Sequence, residues 1–356
     1  MKTATLFCLH PSAKDVESTF KLMHLKNTFG IDFEWSSTHP DYLIVSEHIY
    51  INKHINKKFR ELYPYAKVVI FYTGEAMSPD FNLFDYAVGF DGELKNGDRF
   101  SQICPPFMMF KGFLYESENE ITSEKQALHL LKEKTGFCNF LYSNWMAHPR
   151  RDELFYALSS YKRVDSLGKH LNNVGVKGTG FRGHALDCIK LKNSYKFSIA
   201  CENASFVGYT SEKILTSLAA HTVPVYWGDS EIAKNINPDC FINCNELNSM
   251  GEVIERVREI DENDALWAKM VSSPWRTEEQ IAYHEERYSR YVAFFERIFT
   301  QPVEKVRRIP SGTFPQWNRD FFFHSPIVHH GLFYFQKKKF AMRKHDKANR
   351  KKFLGE

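Results

Sequence analysis

A polar segment that joins a predicted strand to a predicted helix has the residue types of an anion-binding site. The segment KFSIACEN predicts a strand that ends at Glu202 and Asn203, and a glycine-containing loop follows it. The next residues, T-S-E-K at 210–213, place capping residue types before a lysine in the first helical turn. Because a helix N-terminus carries unpaired backbone N–H groups, we expect these groups and Lys213 to face an anion at the carboxyl edge of a sheet. The same four residues are also typical of an ordinary capped helix.

Charged side chains follow two other predicted strands. The strand pattern FCNFLYSN ends at Asn144, and Arg150 and Arg151 begin the predicted helix RRDELFYALSSY. Either arginine suits a phosphate ligand or a solvated helix start. Glu75 ends the strand segment AKVVIFYTGE, where its carboxylate is a candidate general base, although such a residue is more often a solvated turn carboxylate.

The sequence lacks the motifs of several common chemistries. It contains no H-E-x-x-H metalloprotease motif, no Walker A phosphate loop and no G-x-S-x-G nucleophile motif. A G-x-G-x-x-G match at 178–183 follows the polar segment LNNVGVK instead of a strand, which argues against a dinucleotide site. No D-x-D triplet is present to hold a diphosphate through a divalent metal. We therefore expect cationic side chains and a helix end to neutralise any bound diphosphate, with no metal site.

Short apolar strands alternate with helical patterns through most of the chain. The strands ATLFCL, DYLIVSE, AKVVIFYTGE and DYAVGFD precede a predicted helix at 121–136, and a second such series ends with an amphipathic helix at 276–300. This alternation predicts an α/β protein with buried parallel strands. We place Rossmann-like domains at residues 1–134 and 135–300, and a C-terminal extension with a basic tail at 301–356.

Length and composition exclude several classes of protein. The chain has 356 residues, of which 43% are hydrophobic and 25% charged, and its formal net charge is +4. These values are typical of a folded protein of two domains and argue against a disordered, collagenous, membrane-embedded or nucleic-acid-binding chain. The seven cysteines include no C-x-x-C pair, so we expect reduced thiols in the cytoplasm. We expect neither a signal peptide nor a membrane-spanning segment.

The C-terminal segment is basic and aromatic. Gly331–Glu356 holds nine lysines and arginines against two acidic residues, interleaved with Phe and Tyr. This composition suits a segment that lies on an anionic bilayer, so we expect peripheral binding at the cytoplasmic face of the inner membrane. A solvated, frayed terminus is the alternative, and RNA is a weaker candidate than a bilayer.

Three blocks of sequence resemble one enzyme family. The block KFSIACENASFVGYTSEKILTSLAAHTVPVYWGDSEIAKNINPDCFIN is similar to the signature of the bacterial-type alpha-1,3-fucosyltransferases. That signature has an F-E-N triplet, a Gly-Tyr-x-x-Glu-Lys helix start, a V-P-x-Y-W-G strand and an N-P-x-x-F-I segment. The blocks Phe71–Asp91 and FCNFLYSN with Arg151 agree with the family in the same order. Two departures are Cys201, where the family usually has Phe, and Leu167, where many members have Gly.

The resemblance implies a GT-B fold, in which two Rossmann-like domains face each other across a cleft, with the acceptor on the side of the first domain. It implies GDP-fucose as donor and inversion at the anomeric carbon, with no obligatory metal cofactor and at most stimulation by a divalent ion. It assigns Glu75 as the general base, and Arg151 and Lys213 as the cations at the diphosphate. The remaining implied donor contacts are Asn144, Asn203, Tyr209 and Glu212.

The resemblance also implies the reaction. We expect transfer of L-fucose to the 3-hydroxyl, or else the 4-hydroxyl, of N-acetylglucosamine in lactosamine-type glycans. The products would be Lewis-type structures on lipopolysaccharide O-antigen or on protein glycans. Displacing GDP from fucose needs a base at the acceptor hydroxyl and positive charge at the leaving diphosphate, which are the chemistries of Glu75, Arg151 and Lys213. The alternatives are another nucleotide-sugar transferase of GT-B fold and a non-catalytic glycan- or nucleotide-binding scaffold.

Overall fold

The chain forms two compact units. A computed structural model describes residues 2–26, 29–95, 97–103, 121–175, 185–309 and 312–324. Of these, the residues within Met1–Pro105 and Glu285–Ala341 form the first unit, and those within Pro106–His284 form the second. The chain thus returns to the first unit at Glu285. The domains expected from the sequence, 1–134 and 135–300, did not include this return.

The first unit begins with alternating strands and helices and ends with helices. Its elements are β1 (Lys2–Leu9), α1 (Val16–Leu22), β2 (Ile31–Trp35), β3 (Tyr42–Val45), α2 (His48–Ile51), α3 (Lys53–Leu62), β4 (Val68–Tyr72), β5 (Tyr86–Gly89) and β6 (Phe100–Gln102). All of its strand pairs are parallel, in the order β2-β1-β3-β4-β5-β6. Every residue of β3, β4 and β5 is buried, which explains why these strands are almost continuously apolar.

The second unit repeats the same architecture with a different sequence. Its elements are α4 (Glu124–Leu131), β7 (Gly136–Phe140), α5 (Arg150–Tyr161), β8 (Val164–Ser166), α6 (Ala185–Lys192), β9 (Tyr195–Cys201), α7 (Glu212–Ala219), β10 (Val223–Trp227), β11 (Ile242–Asn243), α8 (Met250–Asp261) and α9 (Asp264–Ser272). The parallel strand order is β11-β10-β9-β7-β8. Trp267 of α9, Phe140 of β7 and Phe197 of β9 are fully buried members of one hydrophobic core.

The last helices follow the second unit. They are α10 (Glu278–Thr300), α11 (Val303–Val306) and α12 (Thr313–His324). From Glu285 onward α10 belongs to the first unit, where the ring of Phe299 lies 5.0 Å from that of Tyr42 and 5.1 Å from that of Phe33. The aromatic face predicted for this helix is therefore a core face of the first unit.

The fold class predicted from the sequence is confirmed: the protein is α/β with two parallel sheets. The described part of the chain contains no helix that is both long and apolar enough to cross a membrane. Its six cysteines form no disulfide. The tail at 331–356 lies outside the described residues, as does the G-x-G-x-x-G segment.

Candidate functional site

The strand order of the second sheet reverses between β7 and β9. The chain places β8 on one side of β7 and then returns to place β9 on the other side. The loops that follow the neighbouring strands β7 and β9 therefore lead away from each other. In open parallel sheets this switch point, at the carboxyl ends of the strands, leaves a crevice in which ligands bind. The predicted residues Asn144, Arg151 and Asn203 all lie in the segments that follow these two strands.

Arg151 joins the two loops. Its side chain is only 1% exposed, and its guanidinium lies 4.4 Å above the ring of Tyr142. The guanidinium donates to the backbone oxygen of Asn144 and, at 3.4 Å, to the side-chain oxygen of Asn203. The backbone N–H of His148 donates to the backbone oxygen of Asn203 at 2.8 Å and ties the same loops together. The structure therefore brings Asn144, Arg151 and Asn203 into one cluster.

Tyr142 anchors this cluster to the sheet. Its hydroxyl accepts from the backbone N–H of Cys201 at 2.7 Å and lies 3.0 Å from the backbone oxygen of Ile199, to which it donates. Burial raises the pKa of Tyr142 well above its ordinary value, so the hydroxyl stays neutral. Gly168 passes so close that a Cβ there would lie 2.1 Å from the backbone oxygen of Tyr142, which only glycine avoids. This glycine comes directly after Leu167, one of the two positions at which the sequence departs from the family.

The start of α7 holds a buried ion pair. The carboxylate of Glu202, which is fully buried, accepts from the backbone N–H of Ser211 at 2.8 Å and from the Ser211 hydroxyl at 2.7 Å. It also accepts from the Lys213 ammonium at 3.1 Å. We expected this helix start to face an external anion, whereas its Ser211 N–H group and Lys213 face Glu202. The physical reason is that a buried carboxylate needs donors, and these are the nearest ones.

The pair sets the charge of both side chains. Burial opposes the charge on Lys213, but the carboxylates of Glu202 and Glu212 hold its pKa well above the ordinary value of 10.5. Burial raises the pKa of Glu202 above 4.5, and Lys213 counteracts part of that rise. Lys213 therefore remains a cation with a 16% exposed side chain, beside the 48% exposed side chain of Glu212 at 3.7 Å.

The loop before α7 is fastened by Asp229, a residue for which the sequence predicted no role. Its carboxylate accepts from the backbone N–H of Gly208 at 2.9 Å and from the Thr210 hydroxyl at 3.0 Å. Tyr209, between them, is buried. Gly228 precedes Asp229 with a φ of 158°, and a Cβ there would lie 2.5 Å from the Cγ of Glu202. The G-D dipeptide after the strand VPVYW was the available sequence signal.

Glu75 lies in the first unit, in the loop that follows β4. The residue is exposed, its backbone N–H donates to the Thr73 hydroxyl at 3.1 Å, and its backbone oxygen accepts from the N–H of Met77 at 2.9 Å. These bonds hold the loop at the carboxyl end of a central strand. Among the described residues of both units, no group of three or more His, Cys, Asp or Glu side chains is arranged to hold a metal ion.

Two family models match the chain. The model described as "Glycosyltransferase family 10 (fucosyltransferase) C-term" matches residues 131–307, and "Alpha-(1,3)-fucosyltransferase FucT N-terminal domain" matches residues 11–110. Together the two matches span well over half of the chain.

Curated proteins of known name are similar to the chain in part. The alpha-(1,3)-fucosyltransferase FucT of Helicobacter pylori is 32% identical over 263 residues, which are 64% of this chain and 52% of that protein. The 4-galactosyl-N-acetylglucosaminide 3-alpha-L-fucosyltransferase FUT5 of Gorilla gorilla gorilla is 28% identical over 140 residues, which are 38% of this chain and 35% of that protein. The chain thus spans about half the length of the bacterial relative.

The fold also has a counterpart among solved structures. A crystal structure described as an alpha1,3-fucosyltransferase with GDP-fucose superposes with a TM-score of 0.63 at 23% identity, covering 85% of this chain and 92% of that one. This likeness confirms the predicted GT-B fold class.

Proposed function

The chain belongs to glycosyltransferase family 10, the fucosyltransferases, and from that premise we propose that it transfers L-fucose from GDP-fucose to a glycan. We propose the 3-hydroxyl of N-acetylglucosamine in a lactosamine-type glycan as the acceptor, with the 4-hydroxyl as the second candidate. The name of the gorilla relative supports this acceptor, since it specifies a galactosyl-N-acetylglucosaminide. The products are then Lewis-type structures.

One observation carries the donor half of this proposal. Asn144, Arg151 and Asn203 meet at the switch point of the second sheet, where parallel α/β proteins bind nucleotides. Lys213 keeps its positive charge at the start of the neighbouring helix. We assign Arg151 and Lys213 to the diphosphate, and Asn144, Asn203, Tyr209 and Glu212 to further donor contacts.

The assigned cations act on a leaving group. As the bond between fucose and GDP breaks, negative charge grows on the diphosphate, and a fixed cation stabilises that charge more in the transition state than in the ground state. Because the guanidinium of Arg151 is already held by Tyr142, Asn144 and Asn203, it needs little reorganisation during the reaction.

We assign Glu75 as the general base that takes the proton of the acceptor hydroxyl. In this scheme the hydroxyl attacks the anomeric carbon opposite the departing GDP, so that the configuration inverts and no covalent sugar-enzyme species forms. Cationic side chains serve the diphosphate, and we propose that no divalent metal is obligatory.

A donor panel tests the proposal. Purified protein is incubated with N-acetyllactosamine and GDP-fucose, GDP-mannose, UDP-galactose or UDP-glucose, with and without excess EDTA, and product mass is followed. We expect a product with GDP-fucose alone, and in EDTA as well. Transfer from a UDP-sugar would identify another nucleotide-sugar transferase, and binding of GDP-fucose without product would identify a non-catalytic scaffold.

We also propose peripheral binding to an anionic membrane surface. On α12 the side chains of Phe314, Trp317 and Phe321 are 77%, 61% and 55% exposed, and their spacing places them on one face of the helix. Exposed Phe and Trp beside a basic segment are typical of helices that lie in a bilayer interface, and the basic tail at 331–356 begins seven residues after the last residue of α12.

Co-sedimentation with vesicles tests this surface. We expect the full chain to bind vesicles rich in phosphatidylglycerol and not vesicles of phosphatidylcholine. Replacing Phe314, Trp317 and Phe321 by serine lowers binding, whereas the control Leu186→Ser, at an exposed apolar site of the second unit, does not. Equal binding by both variants would refute the assigned surface.

A further inference from the structure

The first sheet has a switch point of its own. Its order β2-β1-β3-β4 means that the chain leaves β1 to one side for β2 and crosses to the other side for β3. Leu9 of β1 is level with Val45 of β3, so His10 and Ser46 leave the carboxyl edge of the sheet side by side. This is the place where an open parallel sheet offers a crevice for a ligand.

A polar cluster occupies this edge. The rings of His10 and His48 lie 5.2 Å apart in an edge-to-face arrangement. The Ser46 hydroxyl donates its proton to the backbone oxygen of Leu9 at 3.1 Å. The same hydroxyl lies 3.1 Å from Nδ1 of His48, and because its proton is already used it must accept in this second contact. The Glu47 carboxylate lies 3.2 Å from the same nitrogen. The proton of a neutral His48 is therefore assigned to Nδ1, which leaves Nε2 as a hydrogen-bond acceptor.

The ring of His10 carries its proton on the other nitrogen. Its Nδ1 accepts from the backbone N–H of Ser12 at 3.1 Å, so the proton of the neutral ring is assigned to Nε2, a hydrogen-bond donor. Burial, with a smaller contribution from the charge of His48, lowers the pKa of His10 to about 4, so this ring is neutral at pH 7. His48 is 26% exposed, so the cluster is open to a ligand from solution.

We propose that His10 and His48 bind one hydroxyl group of the acceptor saccharide, an inference that rests on the proposed fucosyl transfer. A sugar hydroxyl both accepts and donates a hydrogen bond, and the pair offers one donor nitrogen and one acceptor nitrogen. The two side chains thus form a binding site for a neutral polyol.

The strand order connects this site to the assigned base. β4 lies next to β3 with Phe71 level with Val45, and neighbouring strands are about 4.8 Å apart. Glu75 follows β4 as His48 follows β3, so both leave the same edge of the sheet from adjacent strands. A saccharide held by the histidines therefore has a neighbouring hydroxyl within reach of the loop that carries Glu75.

Kinetics of matched variants test the site. His10→Phe and His48→Phe keep a planar ring and remove the hydrogen-bonding nitrogens, whereas His10→Gln and His48→Gln keep a polar atom near the position of Nε2. We expect the phenylalanine variants to raise the KM for N-acetyllactosamine by about tenfold or more, the loss expected for one hydrogen bond. The KM for GDP-fucose stays within twofold, and the glutamine variants recover most of the acceptor affinity.

His39→Phe is the matched control, because His39 is an exposed histidine of the same unit that precedes β3 and so lies toward the opposite edge. It leaves the acceptor KM unchanged. Acceptor KM values within twofold of wild type in folded phenylalanine variants would overturn the proposal. So would equal loss of donor and acceptor affinity in all four variants, which indicates a structural role.

Binding without turnover separates this inference from the proposed function. Saturation-transfer difference NMR of N-acetyllactosamine, with the protein and GDP present, measures acceptor contact even in a chain that transfers no fucose. We expect the signal in wild type and in His39→Phe, and its loss in His10→Phe. A signal that persists in His10→Phe and His48→Phe overturns the site, whatever the donor panel shows.

Discussion

Replacing Lys213 should weaken GDP binding, whereas replacing its partner Glu202 should not. In the wild-type protein the Glu202 carboxylate accepts three hydrogen bonds from Ser211 and Lys213, all of 3.1 Å or less. Glu202→Gln keeps one accepting oxygen, but its NH₂ group is a donor that faces other donors. Removing one partner of a buried pair costs about 3–5 kcal/mol, and because one acceptor is retained we expect the free energy of unfolding to fall by about 2–4 kcal/mol. The ammonium of Lys213 then keeps only the half-exposed carboxylate of Glu212, at 3.7 Å, as a competitor for any bound diphosphate, so GDP affinity is kept or increased.

Lys213→Met removes the cation and leaves Glu202 with its Ser211 donors only. A cation and a phosphate about 4 Å apart attract each other by roughly 4 kcal/mol at an effective dielectric constant of 20, of which desolvation leaves about 1–2 kcal/mol. We therefore expect GDP to bind roughly 5- to 30-fold more weakly. The pKa of Glu202, already raised by burial, rises further because Lys213 no longer opposes that rise.

The further rise in the pKa of Glu202 changes how the stability of the Lys213→Met variant depends on pH. A carboxyl group whose pKa is raised on folding stabilises the protein below its ordinary pKa of 4.5, and this contribution is lost as the pH rises through the folded value. Lys213→Met should therefore lose stability, relative to wild type, as the pH increases above 4.5. Urea denaturation across pH and calorimetric titration of GDP measure both effects. If folded Glu202→Gln loses GDP affinity as strongly as Lys213→Met, then Lys213 is not the cation that faces the diphosphate.

Three further predictions concern the base, the second cation and a buried lysine. Glu75→Gln should lower kcat by roughly 10²- to 10⁴-fold with GDP affinity unchanged, measured by GDP release and calorimetry, and near-wild-type turnover would remove Glu75 as the base. Arg151→Met should lower the free energy of unfolding by about 2–4 kcal/mol, because it removes the contacts of Arg151 to Tyr142 and to both loops. It should also weaken GDP binding, and unchanged GDP affinity in the folded variant would contradict the assignment of Arg151 to the diphosphate. Burial lowers the pKa of Lys192 to about 8, below the 10.5 of the unfolded chain, so its stabilising contribution is present above pH 10.5 and is lost as the pH falls through 8. Lys192→Met should therefore flatten the rise of unfolding free energy between pH 8 and 10.5 by up to about 1.4 kcal/mol per pH unit, and an unchanged slope would refute the assignment.

The sequence predicted the elements whose patterns are local. The strands β3, β4 and β5 are recognisable because both faces are buried, and β9 and β10 are apolar runs with a helix between them. The cap predicted for that helix was wrong, because the hydroxyl of its N-cap residue Ser211 donates to Glu202 and makes no capping hydrogen bond. The three-residue strands β6 and β8 carry too few side chains to show a period, and α12 contains a proline and consecutive phenylalanines that hide its helical pattern.

The partners of the site residues could not be predicted in this way. Arg151 and Lys213 were identified by residue type and position, but the carboxylate that accepts from Lys213 lies eleven residues earlier, at the end of another element. The hydrogen bonds that the Asp229 carboxylate accepts from Gly208 and Thr210 likewise depend on the packing of β10 beside β9. A charged residue at the end of a buried strand is a usable signal, because burial obliges it to find a partner.

Linkage analysis of the product tests the central proposal most directly. The protein is incubated with N-acetyllactosamine and GDP-fucose carrying ¹³C in the fucose, and the product is examined by NMR in parallel with GDP release. We predict one fucose per GDP released, joined to the 3-hydroxyl of N-acetylglucosamine with an anomeric configuration opposite to that of the donor, and almost no product with Glu75→Gln. Retention of the donor's configuration, or GDP release with fucose delivered only to water, would contradict it.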